Sequence, residues 1–124
     1  IQGDMLETLN QADGKVWHLA DQTGTLVGVA KTVLFSSLGI AWIDLLVIRR
    51  AFQGRGYGSE VATLLETHLF SSARIGQIML AVLVQNTHAM AFWEKRGYRR
   101  AGRYRDNEDD DVYGYLLPRP LPSM

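Results

Sequence analysis

The chain has no cysteine, no long apolar run and no net charge. The lack of cysteine excludes disulfide bonds and thiolate chemistry, and it fits a reducing cytoplasm. No apolar run approaches the roughly 20 residues of a membrane span, and no charged start followed by an apolar segment indicates a signal peptide. Acidic and basic residues balance at 13 each, so no general field attracts nucleic acid. We therefore expect neither a membrane nor a nucleic acid as partner.

The composition is that of an ordinary globular domain. Of 124 residues, 47% are hydrophobic and 21% are charged, which favours one domain spanning residues 1–124. Ile1 to Asp4, which precede Met5, are interpreted as a candidate cloning remnant. Residues 118–124 contain three prolines and are interpreted as a tail.

The sequence QGRGYG at residues 53–58 lies between two different patterns. The run Ala41–Ile48 before it is almost wholly apolar, as in a strand that is covered on both faces. The run Ser59–Ser72 after it carries apolar residues at helical spacing. Alternating glycines at such a passage let the backbone approach a ligand closely, at the positive end of the helix dipole. The pattern predicts an anion site that suits a pyrophosphate.

Other phosphate-binding motifs fit this stretch less well. A nucleoside triphosphatase loop needs lysine before the helix, whereas Gly58 is followed by Ser59 and Glu60. The alternating glycines also differ from the G-x-G-x-x-G spacing of dinucleotide folds. A glycine-rich turn without function remains the alternative on this stretch alone.

A second motif, NTHAMAFWEKRGY at residues 86–98, follows about one strand later. Both motifs together, in this order, resemble the GCN5-related N-acetyltransferase superfamily over Val16 to Leu117. The resemblance implies acetyl-CoA as co-substrate and an amine of a small molecule or peptide as acceptor. It implies a mixed α/β fold with a central, mostly antiparallel sheet and helices packed on it.

The order of patterns along the chain agrees with that fold. Strands are predicted for 16–21, 26–35, 41–48, 77–84, 98–105 and 112–117, and helices for 59–74 and 88–96. Gly24 would supply the first hairpin turn, and Asn86 would cap the second helix. The residues before Val16 cannot supply the strand and helices with which the family fold usually begins, so we expect the fold to lack them.

The resemblance assigns a set of residues to acetyl-CoA. The turn would hold the pyrophosphate, the end of the preceding strand would bond the pantetheine arm with main-chain groups, and the second motif would line the cofactor. These residues are Leu46, Val47, Ile48, Gln53, Gly54, Arg55, Gly56, Tyr57, Gly58, Ser59, Asn86, Ala89, Phe92 and Trp93.

Acetyl transfer to an amine needs a base and a proton donor. Asp44 is the candidate base because it is the only charge in an apolar run. A structural aspartate bonded to a neighbouring turn is an equal alternative. Many family members have tyrosine where this chain has Trp93, and an indole cannot act as a general acid. Tyr98 and Tyr104 lie nearby in sequence, but nothing in the sequence directs either toward the thiolate.

The remaining polar residues have weaker patterns. His18, His68 and His88 lack the spacing of metal ligands, so no metal is expected, and His68 falls on an apolar helix face as a core histidine would. Acidic residues at 106–111 would attract a cationic amine, but a solubilising, mobile hairpin tip is the favoured interpretation.

We therefore predict an acetyl-CoA-dependent N-acetyltransferase that transfers directly, without a covalent enzyme intermediate. The alternative is a non-catalytic acyl-CoA-binding sensor or interaction module, which Trp93 and the short N-terminal part favour. Exposed sheet edges predict a homodimer.

Overall fold

The computed structural model describes residues 2–7 and 14–122, which form a seven-stranded sheet and two α-helices. The strands are β1 (Gln2–Glu7), β2 (Gly14–Ala20), β3 (Leu26–Phe35), β4 (Ile40–Ile48), β5 (Gln77–Leu83), β6 (Arg99–Arg105) and β7 (Asp111–Pro118), and the helices are α1 (Tyr57–Phe70) and α2 (Thr87–Lys95). The strand order is β1-β2-β3-β4-β5-β7-β6. Only the β4–β5 pair is parallel among these strands. The predicted mixed α/β fold is confirmed.

The N-terminal part corrects one prediction. β1 pairs antiparallel with β2, from Gln2 opposite Ala20 to Glu7 opposite Lys15, so a strand does precede Val16. This strand has little local signal because an edge strand joins a sheet through main-chain hydrogen bonds and needs no apolar alternation. The strand includes Gln2–Asp4, which were interpreted as a cloning remnant. The expected lack of N-terminal helices falls on 8–13, outside the described residues.

Both helices pack on one face of the sheet, which we call the helix face. α1 buries Val61, Ala62, Leu65 and Leu69 in one core with strand residues such as Ile78 and Tyr115. His68, which the sequence placed on an apolar helix face, is exposed, and its ring packs against Trp17. Leu64 of the same helix is also exposed. None of the helices among the described residues is long and apolar enough to cross a membrane.

Arg96 joins the two helices through a bidentate ion pair. Its Nη2 and Nε donate to the Glu66 carboxylate at 2.7 and 3.2 Å, and its Nη1 and Nη2 donate to the hydroxyls of Ser59 and Thr63 at 2.9 Å each. The Tyr98 hydroxyl donates to the same carboxylate at 2.9 Å. Because Ser59 lies in the first turn of α1, this cluster fixes where the helix begins.

The predicted tail is partly tied to the fold. Pro118 is the last residue of β7, and the Arg119 guanidinium donates to the carbonyls of Phe70, Ser72 and Ile75. The Arg119 amide donates to the Gly76 carbonyl at 2.8 Å. Residue 119 therefore anchors the connection between α1 and β5.

We predict that Arg96→Lys lowers the free energy of unfolding by about 2–3 kcal/mol, because an ammonium cannot reproduce the bidentate bond in this largely buried cluster. Urea denaturation followed by tryptophan fluorescence measures it. Arg99→Lys, at an exposed position of β6, is the control and should change stability little. Equal stability of the two variants would contradict the structural role of Arg96.

Candidate functional site

β4 and β5 separate along their length and leave an opening between them. Their parallel register covers three residue pairs, from Ile40 opposite Gln77 to Trp42 opposite Met79. Among the described residues, the rest of β4 has no partner on that side. Leu45 and Val47 are 44% and 49% exposed. The strand ends thus diverge beside the glycine turn, as the resemblance implies.

The hydrogen-bond pattern shows which main-chain groups face the opening. Arg49 N donates to Val27 O at 2.8 Å, and Gly28 lies opposite Ile48. Because bonded and non-bonded pairs alternate in an antiparallel ladder, the peptide groups of Ile48 and Leu46 point away from β3, whereas those of Val47 point toward it. The main-chain groups of Leu46 and Ile48 therefore face the opening, where the resemblance implies a contact with the pantetheine arm. For Val47 the prediction is corrected, since only its side chain is exposed.

The glycine turn leaves open space at the start of α1. Gly54 and Gly56 have φ of +76° and +82°, and a Cβ on either would meet no atom within 4 Å. Gly56 is the N-cap of α1, and no side chain caps this helix within the described part of the chain. The first four N–H groups of a helix have no partner within it. The open space, the free donors and the helix dipole together fit an anionic ligand.

Side chains around the turn hold its shape. Gln53 Nε2 donates to Ile48 O at 2.9 Å and so ties the turn to the end of β4. The Arg55 guanidinium lies 5.5 Å from the centre of the Phe52 ring, and Tyr57 packs edge-on against the same ring at 5.8 Å. Arg55 is exposed at the turn, where the sequence placed a phosphate contact. The Ser59 hydroxyl is already bonded to Arg96.

The residues of the second motif divide between the site and the core. Asn86 Oδ1 accepts from Ala89 N at 3.1 Å, which confirms the predicted helix cap and leaves the amide NH2 group to donate elsewhere. Phe92 lies 3.6 Å from the position of a Cβ on Gly58 and so closes one side of the turn. Trp93 is only 7% exposed and packs against Tyr98. Its predicted contact with the cofactor is therefore corrected to a core position.

On the face opposite the helices, which we call the open face, the opening continues into a groove of about 1000 Å³. The floor comes from four strands, and the rim comes from the β6–β7 hairpin. The lining residues are Lys31, Val33, Phe35, Trp42, Ile43, Asp44, Leu45, Ala81, Leu83, Tyr104, Arg105, Asp106, Asn107, Glu108, Asp110 and Val112. A smaller depression of about 390 Å³ lies along the first turns of α1.

Asp44 lies in the groove rather than in a buried strand. Lys31 pairs with Leu45 and Thr32 with Ile43, so Asp44 is the extra residue of a β-bulge. Its side chain is 55% exposed, and the carboxylate lies 3.6 Å from Lys31 Nζ. The structure thus corrects the expected burial, and it brings the candidate base to the edge of the opening.

The acidic segment forms an ordered loop that borders the same groove. The Asp106 carboxylate accepts from the amides of Glu108 and Asp110 at 2.9 Å each. Asp106, Glu108 and Asp110 all line the groove, whereas Asp109 accepts from Arg105 outside it. The acidic segment is thus the tip of the β6–β7 hairpin, as predicted, and it also borders the groove.

The two candidate tyrosines have different environments. Tyr98 is 2% exposed, and its hydroxyl donates to Glu66. Burial, together with the Glu66 charge, raises the pKa of Tyr98 well above its usual value. Tyr104 lines the groove, and burial followed by the charge of Asp106 raises the pKa of its phenol. Tyr104 therefore stays protonated at neutral pH, in contact with the groove.

The groove has no signal in the sequence as a single site. Lys31, Tyr104 and Glu108 come from three distant segments, and their meeting depends on strand order and on bulges, which have no local signal. No group of three histidine, aspartate or glutamate side chains within residues 2–7 and 14–122 is arranged to hold a metal ion.

Comparison with known proteins agrees with this geometry. The profile of the Acetyltransferase (GNAT) family matches residues 2–98. Two curated relatives from Bacillus subtilis are 29% identical over 85 residues: a probable spermine N(1)-acetyltransferase (subsp. natto) and a spermine/spermidine N(1)-acetyltransferase (strain 168). Each match covers 64% of this chain and 56% of the relative, so the chain spans little more than half the length of these proteins.

A solved structure shares the fold. The dodecameric spermidine N-acetyltransferase from Vibrio cholerae superposes with a TM-score of 0.77 at 18% identity, over 90% of this chain and 68% of that one. Because the family profile spans most of the chain, and the diverging strands and glycine turn lie within it, the protein belongs to the acetyltransferase (GNAT) family.

Proposed function

We propose that the protein is an N-acetyltransferase that moves an acetyl group from acetyl-CoA to a cationic amine of the polyamine class. One observation carries this proposal: the opening between β4 and β5 has the glycine turn and the start of α1 on one side and an acid-lined groove on the other. The two sides suit a polyphosphate donor and a cationic acceptor, which would meet at the opening. The relatives named as spermine and spermidine acetyltransferases support the choice of acceptor.

The donor half is the more completely formed. The N–H groups from Gly54 to Ser59 would hold the pyrophosphate, and Arg55 would add a charge-assisted contact. The outward peptide groups of Leu46 and the outward N–H group of Ile48 would pair with the amides of the pantetheine arm, as an added strand does. The Ile48 carbonyl already accepts from Gln53. Asn86 would donate its NH2 group to the same arm. Bound acetyl-CoA supplies the activated acetyl thioester.

The groove would recognise the acceptor by its positive charge. Four carboxylates line the groove, from Asp44, Asp106, Glu108 and Asp110, against the two cations Lys31 and Arg105. Lys31 is paired with Asp44, and Arg105 is paired with Asp109. These two cations therefore do not neutralise Glu108 and Asp110, which form the rim of the groove. A flexible chain bearing several ammonium groups could contact the rim with one group while another reaches the opening.

The reaction needs a neutral amine at the opening. Asp44, directly or through a water molecule, would take the proton of the bound ammonium. The amine nitrogen then attacks the thioester carbonyl, and the C–S bond breaks to release the thiolate of CoA. No covalent enzyme intermediate is required, which agrees with the absence of cysteine.

We predict that Gly56→Val abolishes acetyl-CoA binding while the protein stays folded, because a side chain at this φ would fill the place of the phosphate. Gly24→Val is the matched control, since Gly24 has a similar φ of +87° and equally open surroundings but lies in the β2–β3 turn. Calorimetric titration with acetyl-CoA separates the two. Similar affinity of both variants, each with native circular dichroism, would rule out the turn as the phosphate site.

The charge of the rim gives a second prediction. Glu108→Gln combined with Asp110→Asn should raise the KM for spermidine roughly fivefold at low salt, and less at high salt, with the KM for acetyl-CoA unchanged. Asp109→Asn, on the same loop but outside the groove, is the control. Thiol release measures all three proteins. A control that is as impaired as the double variant would argue against recognition by the groove.

We also propose that the protein forms a homodimer through an exposed sheet edge, as expected from the sequence. The edges are β1 and β6, and every residue of β6 is exposed. Light scattering at high micromolar concentration should give about twice the mass of the chain. A monomer under these conditions would refute the dimer. The expected cytoplasmic location also stays a prediction.

A further inference from the structure

The proposed reaction leaves a thiolate that needs a proton, and two residues of the second motif cannot supply it. The Trp93 indole lies in the core, and the Tyr98 hydroxyl is bonded to Glu66 there. Of the side chains that line the groove in the described part of the chain, Tyr104 carries the only phenol. The Lys31 ammonium, which also carries a transferable proton, is paired with Asp44.

A bulge in β6 turns Tyr104 toward the groove. Arg100 lies opposite Tyr115 and Arg103 opposite Tyr113, so Ala101 and Gly102 together face a single residue, Gly114. Gly102 has φ of +131°, which a glycine accommodates readily. With regular pairing, residue 104 would lie opposite Asp111, on the helix face. The extra residue instead places it opposite Val112, whose other neighbour is Leu83 on the open face.

The Tyr104 ring then crosses β7 toward the opening. Its Cε1, the carbon next to the one that bears the hydroxyl, lies 3.3 Å from the position of a Cβ on Gly114. Gly114 therefore provides the room for the ring. The next residue across the sheet is Ala81 of β5, another small residue of the groove floor. β5 is one of the two strands that border the opening.

We propose that Tyr104 is the general acid that protonates the departing thiolate of CoA. This inference rests on the proposed function. As the C–S bond breaks, the sulfur takes the electron pair of that bond and the proton of the Tyr104 hydroxyl, which yields CoA-SH and a phenolate. The acylated nitrogen loses its remaining extra proton to solvent, and the phenolate regains one from solvent. The net reaction therefore releases one proton, which corresponds to the proton that the acceptor ammonium lost.

The Tyr104 phenol must be protonated before the reaction, and burial, followed by the charge of Asp106, raises its pKa. The carboxylates that face Tyr104 in the groove are those of Asp106, Glu108, Asp110 and Asp44, and the cations are Lys31 and Arg105. Removing the hydroxyl alone should leave the ring on Gly114 and preserve the fold. The substitution thus tests chemistry separately from packing.

The experiment compares Tyr104→Phe with Tyr113→Phe by thiol release with acetyl-CoA and spermidine. We expect Tyr104→Phe to lower kcat roughly 100-fold, with unchanged KM for both substrates and unchanged calorimetric affinity for acetyl-CoA. Tyr113, which lies on the helix face opposite Val82, should tolerate the change with full activity.

A second variant tests the position of the ring. Gly114→Ala brings a methyl group against Tyr104 and should also lower kcat without weakening acetyl-CoA binding. If the wild-type protein turns over and Tyr104→Phe keeps its kcat, or loses only substrate affinity, the assignment to Tyr104 is wrong. A wild-type protein that releases no thiol with any amine overturns the proposed function itself.

Discussion

The early end of the β4–β5 ladder is the constraint on which the rest of this structure depends. Three residue pairs join the strands. Beyond them, peptide groups of β4 have no neighbouring strand on that side within residues 2–7 and 14–122. An unpaired strand edge inside a sheet is unfavourable unless a ligand or solvent satisfies it. A pantetheine arm carries two amides and can take the place of the missing strand. The donor would thus complete the sheet as it binds.

The elements around the opening are positioned by interactions distant from it in sequence. Arg96 and Glu66 hold α2 against α1, so that the glycine turn and Phe92 stay together. Bulges on β4 and β6 turn Asp44 and Tyr104 toward the same groove from opposite sides. The chemistry of the site therefore depends on irregular positions of an otherwise regular sheet, as is common near active sites.

Much of this fold could be predicted from local patterns. The glycine turn, the Asn86 cap and the crossover from β4 through α1 to β5 each have a short-range signal, and each was found where the sequence placed it. The exposure of Asp44, the burial of Trp93 and the inward peptide groups of Val47 could not be predicted, because they depend on register between strands. The carboxylate rim was visible as a charge run, but only the strand order shows that it borders the groove.

The most direct test is calorimetric titration of the wild-type protein with acetyl-CoA, followed in the same sample by thiol release on addition of spermidine. We predict saturable binding and spermidine-dependent release of CoA, with little release when no amine is present. Binding without release for spermidine or any other amine would indicate an acyl-CoA-binding module. Absence of binding would contradict the assignment of the opening and the glycine turn to the donor.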